Sequence, residues 1–95
     1  MSDGAQQVVE AEVTIVNPQG LHARPAHLVV VTANQFPCTI SVCRDDLEVD
    51  AKSIMSLMML AAEKGVRLRV RAEGPQAAEA VRALAALFES GFGES

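Results

Sequence analysis

An imidazole and a guanidinium two residues apart, followed directly by proline, mark the stretch of this chain best suited to chemistry: Gly20-Leu21-His22-Ala23-Arg24-Pro25-Ala26. Pro25 suits the first turn of a helix, where its missing N–H costs nothing, so His22 and Arg24 fall where a loop becomes a helix. The first amides of a helix are unpaired donors, and the macrodipole adds partial positive charge there. A phosphate at that point meets the backbone N–H groups from Ala23 onward and the planar fork of Arg24, which suits phosphate oxygens. His22 is itself a nucleophile near neutral pH and is able to hold a phosphoryl group. The ordinary alternative, a capping or surface role for the pair, is open on physical grounds. Asn17, Gln19 and Gly20 are expected to leave the preceding loop polar, flexible and approachable.

The elements that must position these residues can be read from periodicity. Ala11, Val13 and Ile15 alternate with Glu12 and Thr14 as a half-buried strand, and Asn17-Pro18-Gln19-Gly20 breaks it. The segment after Pro25 is rich in β-branched residues. Ala26, Val29, Val30 and Ala33 nevertheless fall at i, i+3, i+4 and i+7, so a helix is predicted over 23–35. Thr39 to Cys43 and Leu47 to Val49, with Arg44-Asp45-Asp46 between them, predict a hairpin. Ser53 is a good N-cap for a helix over 54–63, closed by Lys64-Gly65. Val66, Leu68, Val70 and Ala72 alternate with Arg67, Arg69 and Arg71 as a further strand. A last helix follows Gly74-Pro75, with Ala77, Ala80, Val81, Leu84, Leu87 and Phe88 on one face. The order βαββαβα, with one apolar face per strand, predicts an α+β fold: a four-stranded antiparallel sheet with helices on one side and water on the other. Residues 1–8 read as a flexible leader, 9–95 as a single domain, and the tail Gly91-Phe92-Gly93-Glu94-Ser95 as a segment that frays.

Composition narrows the function class. The chain has 95 residues, 49% hydrophobic and 21% charged, as expected of one globular domain rather than a disordered segment. Twelve acids against eight bases leave a net charge of −4, and Trp and Tyr are absent. Nucleic acid is therefore an unsuitable partner, for want of a basic surplus and of stacking platforms. The apolar runs Leu28–Val31 and Leu57–Ala62 fall far short of the roughly 20 residues that span a bilayer. The N-terminus has no signal-peptide pattern, so a cytoplasmic protein is expected, without membrane insertion. His22 and His27 with Cys38 and Cys43 do not match metal-ligand spacing, and no cofactor is implied. The two cysteines are expected on opposite faces of one strand, with Cys43 the accessible one. Arg67, Arg69 and Arg71 read as a solvated stripe paired with acids such as Glu12 across the sheet.

The heptapeptide Gly20–Ala26 resembles the active-site signature of HPr, the histidine phosphocarrier family of the bacterial phosphoenolpyruvate-dependent sugar phosphotransferase system. Lys52-Ser53-Ile54-Met55 resembles the segment around that family's regulatory serine, and the resemblance runs from about Val9 to Ser95. It implies an open-faced β-sandwich of the same βαββαβα order. It also implies a phosphoryl relay in which enzyme I charges Nδ1 of His22, Arg24 steadies the group, and an enzyme IIA domain receives it. The carrier would be a monomer and a stoichiometric intermediate, not an enzyme.

Ser53 has a plain N-capping role, and the resemblance adds phosphorylation by HPr kinase/phosphorylase. The family's usual glycine three residues on is Ser56 here, a departure from the pattern the kinase meets. The resemblance also makes Ile54, Met55 and Met58 a docking patch for enzyme I and enzyme IIA, with Ala23 and His27 on the same partner-facing side. His27 stands where the family more often has a small residue, and reads as a tolerated surface histidine or a second phosphoryl acceptor. The alternative function is a regulatory binding module of the same fold, acting through Ser53 phosphorylation with His22 unused.

Overall fold

The structure, a computed structural model, describes residues 7–94; the leader assigned to 1–8 lies outside it except for Gln7 and Val8. The elements are β1 (Val8–Thr14), α1 (Ala23–Ala33), β2 (Thr39–Arg44), β3 (Leu47–Asp50), α2 (Ile54–Met58), β4 (Arg67–Glu73) and α3 (Ala77–Glu89), followed by a 3-10 turn at Gly91–Gly93. The strands form one sheet in the order β1-β4-β2-β3, with every neighbour antiparallel. The helices cover one face. The molecule is an open-faced β-sandwich of βαββαβα order.

Alternation explains which face is covered. Val13, Leu68, Val70, Ala72, Ile40, Val42 and Val49 turn inward and are buried. They meet Ala26, Val29 and Ala33 of α1, Leu57 of α2 and Ala77, Ala80, Val81, Leu84 and Phe88 of α3 in one core. The open face is a lattice of charges. Arg69 and Arg71 reach Glu10 at 3.6 and 3.4 Å, and Arg67 reaches Glu12 at 4.0 Å. The basic stripe is thus a paired, solvated face, and each such exposed pair is worth under about 1 kcal/mol.

Several expectations need correction. Cys43 is not accessible. It is 3% exposed, under the side-chain lattice of the open face, while Cys38 is buried in the core. Burial, and then the charge of Glu48, push the Cys43 thiol above its ordinary pKa. α1 ends at Ala33 rather than Gln35, because Gln35 and Phe36 donate to Thr32 and Ala33 in a tightened last turn. α2 ends at Met58, five residues short of the expected boundary. Beyond it, Leu60 and Ala61 donate three residues back, and their carbonyls accept from Arg44 Nη1 at 2.9 and 3.0 Å. Ala61 takes φ of 50°, and the Ala62 carbonyl accepts from Leu21 N–H at 2.8 Å. The Leu60 and Ala61 carbonyls thus bond to Arg44 at the end of β2, and only that of Ala62 to the loop in front of His22.

Candidate functional site

His22 is the N-cap of α1, in extended backbone with φ −85° and ψ −168°, and its carbonyl accepts the first helical bond from Ala26 N–H. Its side chain makes no capping bond and is therefore free to point elsewhere. Ala23 and Arg24 supply the first two helix amides and Pro25 has none, so two N–H groups open the helix beside the imidazole. The loop that delivers His22 is tied by hydrogen bonds at both ends of its turn. Asn17 is 1% exposed and donates from Nδ2 to the Gly20 carbonyl at 2.7 Å. Gly20 adopts φ of 73°, and a Cβ there would lie 2.5 Å from the Ala62 carbonyl oxygen. Only glycine allows both the left-handed turn and this backbone approach.

The tail expected to fray is packed over its described residues Gly91–Glu94, and Ser95 lies outside them. Phe92 is 2% exposed and packs edge-on against Phe88 with ring centroids 5.1 Å apart. That anchor brings Glu94 onto the site. Its two carboxylate oxygens each lie 3.1 Å from His22 Nε2, Oε1 accepts from Asn17 Nδ2 at 2.9 Å, and Oε2 accepts from Arg24 Nη1 at 3.1 Å. Arg24 Nη1 also donates to the Phe92 carbonyl at 3.0 Å. A carboxylate only accepts, so Nε2 carries the proton and Nδ1 of a neutral ring is left with its lone pair. Among the described residues Nδ1 has no hydrogen-bond partner. The imidazole is about one-third exposed, at the end of an open groove of about 200 Å³ lined by Gln19, Leu21, Ala61, Ala62 and Glu63.

Sequence reasoning missed Glu94 and the structural weight of Asn17. The available signal was Phe92, four residues beyond Phe88 on the apolar side of α3, which argues for a tail that packs. The hydrogen bond from His22, then those from Asn17 and Arg24, hold the Glu94 carboxyl below its usual range. A carboxylate with a depressed pKa in the folded state stabilises it above the unfolded titration range and loses that contribution as pH falls through the lowered value. The docked tail should therefore survive acidification through the ordinary glutamate range and release only below it. Following the Gly93 and Glu94 amide shifts by NMR checks this, and release at the pH of a free glutamate would refute it.

Ser53, the predicted cap of α2, is extended, and its Oγ accepts from Ser56 N–H at 3.2 Å. Ser56 thus supplies the capped amide. Met55 and Met58 are 81% and 45% exposed, and Met59, which was not singled out, is 67% exposed, whereas Ile54 is half-buried. Leu57 and Leu60 are core. α2 packs on α1, and His27 lies exposed on α1. His27 makes no ion pair or hydrogen bond through its ring among the described residues.

Residues 9–90 match the family described as PTS HPr component phosphorylation site. The phosphocarrier protein HPr of Pseudomonas aeruginosa is 48% identical over 84 residues, covering 87% of this chain and 93% of that protein. The HPr of Neisseria meningitidis is 42% identical over 87 residues, covering 92% and 98%. The crystal structure of HPr-C-His from Thermoanaerobacter tengcongensis superposes with a TM-score of 0.87 at 46% identity, covering 92% of this chain and 98% of that one. A histidine with an open Nδ1 at a helix N-terminus, an arginine beside it, the open-faced sandwich and a match across the domain agree, and the chain belongs to the HPr family of phosphocarrier proteins of the bacterial phosphotransferase system.

Proposed function

We propose that His22 is the phosphoryl acceptor, reacting through Nδ1, and that Arg24 and the amides at Ala23 and Arg24 stabilise the transferred group. The observation that carries this reading is the Nε2–Glu94 contact, which leaves the Nδ1 lone pair as the ring's free nucleophile. In transfer, that lone pair attacks phosphorus, the bond from phosphorus to the donor breaks, and the donor atom leaves with the electron pair. The Nε2 proton stays in place. The site is exposed enough for the group to leave again, since charge-assisted contacts in high dielectric are modest. A carrier must release what it accepts.

The donor in this reading is enzyme I and the acceptor an enzyme IIA domain, both docking on Ala23, His27, Ile54, Met55 and Met58. Exposed methionines adapt to more than one partner surface, and their helix packs on the one that begins at His22. The working unit is the single domain 9–95, a cytoplasmic monomer. Incubation with phosphoenolpyruvate and enzyme I, read by intact mass and acid lability, tests the assignment: one acid-labile phosphoryl group is expected, and none would reject it.

Ser53 is proposed as a regulatory phosphorylation site. Its hydroxyl is half-buried at the start of α2, beside Met55, so a phosphate there adds close to two negative charges at the edge of the docking patch. HPr kinase/phosphorylase with ATP should yield an acid-stable phosphoserine at Ser53 by mass spectrometry. An unmodified Ser53 would end the proposal and point to Ser56 as the reason.

A further inference from the structure

We propose that Met55, Met58 and Met59 form an oxidation switch: a hydroperoxide converts their thioethers to sulfoxides, and the oxidised face no longer docks enzyme I. This deepens the reading of Met55 and Met58 as part of the docking patch and rests on it. Among the described residues these are all the methionines, gathered within five positions on α2 and its C-cap. Their spacing of i, i+3 and i+4 sets the three side chains on one side of the helix. Met55 is 81% exposed, Met59 67% and Met58 45%, whereas Leu57 and Leu60 are core. Oxidation therefore alters the outer face and spares the packing that holds α2 in place.

Burial divides the sulfur chemistry of the chain. Cys38 and Cys43 are both buried, and burial, then the charge of Glu48, disfavour the Cys43 thiolate. Hydroperoxides oxidise thiolates that they can reach, so neither cysteine competes. A thioether has no proton to lose, and its reactivity follows access to the sulfur. Met55 should react first, Met59 next and Met58 last.

The step is a two-electron oxidation of sulfur. A sulfur lone pair attacks one peroxide oxygen, and the S–O bond forms as the O–O bond breaks. The other oxygen leaves with the electron pair and takes up the proton, as water when hydrogen peroxide is the oxidant. The sulfoxide is polar, with an oxygen that seeks a hydrogen-bond donor. A partner surface fitted to thioethers strips water from that oxygen and offers no donor in return. His22 and Arg24 are untouched, so the loss falls on association rather than on transfer within the complex. Reduction by a dithiol, which becomes a disulfide as the oxygen leaves as water, returns the thioether.

The test treats the carrier alone with hydrogen peroxide and removes the oxidant with catalase before enzyme I and phosphoenolpyruvate are added. Peptide mass mapping should find one added oxygen on each of the three methionines and none on Cys38 or Cys43. The KM of enzyme I for the carrier should rise about tenfold, as expected for burying an unpaired dipole, with kcat little changed. Methionine sulfoxide reductases with a dithiol should restore the parent KM. The triple substitution Met55→Leu, Met58→Leu, Met59→Leu, compared with itself before and after peroxide, should lose the response. Oxidised methionines with an unchanged KM would overturn the proposal, as would oxidation of the cysteines in their place or a response kept by the leucine variant. Loss of the folded amide spectrum on oxidation would overturn it too, since the sulfurs would then hold the fold. The unoxidised double substitution Met55→Gln, Met58→Gln separates the underlying reading. A KM unmoved by these polar side chains rejects the docking patch itself, whereas a KM raised by them but not by oxidation rejects the switch alone.

Discussion

His22→Ala should take no acid-labile phosphoryl group from phosphorylated enzyme I, while giving the amide spectrum of the folded domain. The fold should survive because the His22 side chain is about one-third exposed and makes no capping bond to α1. What the substitution removes is the Nδ1 lone pair, and no neighbouring group replaces it. His27, exposed on α1 beyond His22, is the residue through which the experiment could surprise. Transfer to His27 would leave the His22→Ala variant labelled and make it the acceptor. Arg24→Ala supplies the graded comparison. It keeps the nucleophile and removes one charged hydrogen-bond donor, so uptake should slow by about ten- to a hundredfold, the worth of one charge-assisted bond. Equal rates in Arg24→Ala and the parent protein would show that the helix amides alone hold the phosphoryl group.

Gly20→Ala should cost about 2–4 kcal/mol of stability and disturb the site besides. The left-handed φ of 73° penalises a Cβ by about 1–2 kcal/mol. The new atom would also meet backbone, at 2.5 Å from the Ala62 oxygen and 2.9 Å from Glu63 Cα. Neither neighbour can swing aside as a side chain would, so Leu21 must move from its 2.8 Å bond to Ala62, a further loss of about 1 kcal/mol. His22 follows directly and would lose its register with Glu94. Gly65→Ala is the control, since Gly65 is also left-handed at 93° but a Cβ there meets nothing within 4 Å. It should cost only about 1 kcal/mol. Urea unfolding midpoints at unchanged m-value separate the two, and equal losses would refute the close-approach argument.

The order of elements was legible because each carries its own period. Val13–Ile15 and Leu68–Ala72 alternate, and Ala77–Phe88 repeats at helical spacing, whatever they pack against. The pair His22/Arg24 was legible for a similar local reason: Pro25 announces a helix start, and chemistry at a helix start depends on residues within one turn. Ser53 was readable as a cap because capping reaches only three residues forward.

What failed to show in the sequence depends on groups distant along the chain. The apolar run from Ile54 promises a helix to Glu63. It stops at Met58 because Arg44 and Leu21 claim the carbonyls of Leu60, Ala61 and Ala62. Cys43 alternates outward as expected, yet side chains from neighbouring strands close over it. The polar loop 17–20 reads as mobile but is held by Asn17, whose second partner, Glu94, lies 77 residues away. The tail looks frayed by composition, two glycines among short polar residues, until Phe92 finds Phe88. The sequence by itself therefore determined the element order, which follows from period, and singled out the pair His22/Arg24 as the candidate site, which follows from a helix terminus together with the resemblance of Gly20–Ala26 to the HPr signature. The tertiary structure alone decided which carboxylate attends Nε2 and so leaves Nδ1, the nitrogen the resemblance implies, without a partner among the described residues, because no local pattern encodes a contact between the start of the first helix and the end of the chain.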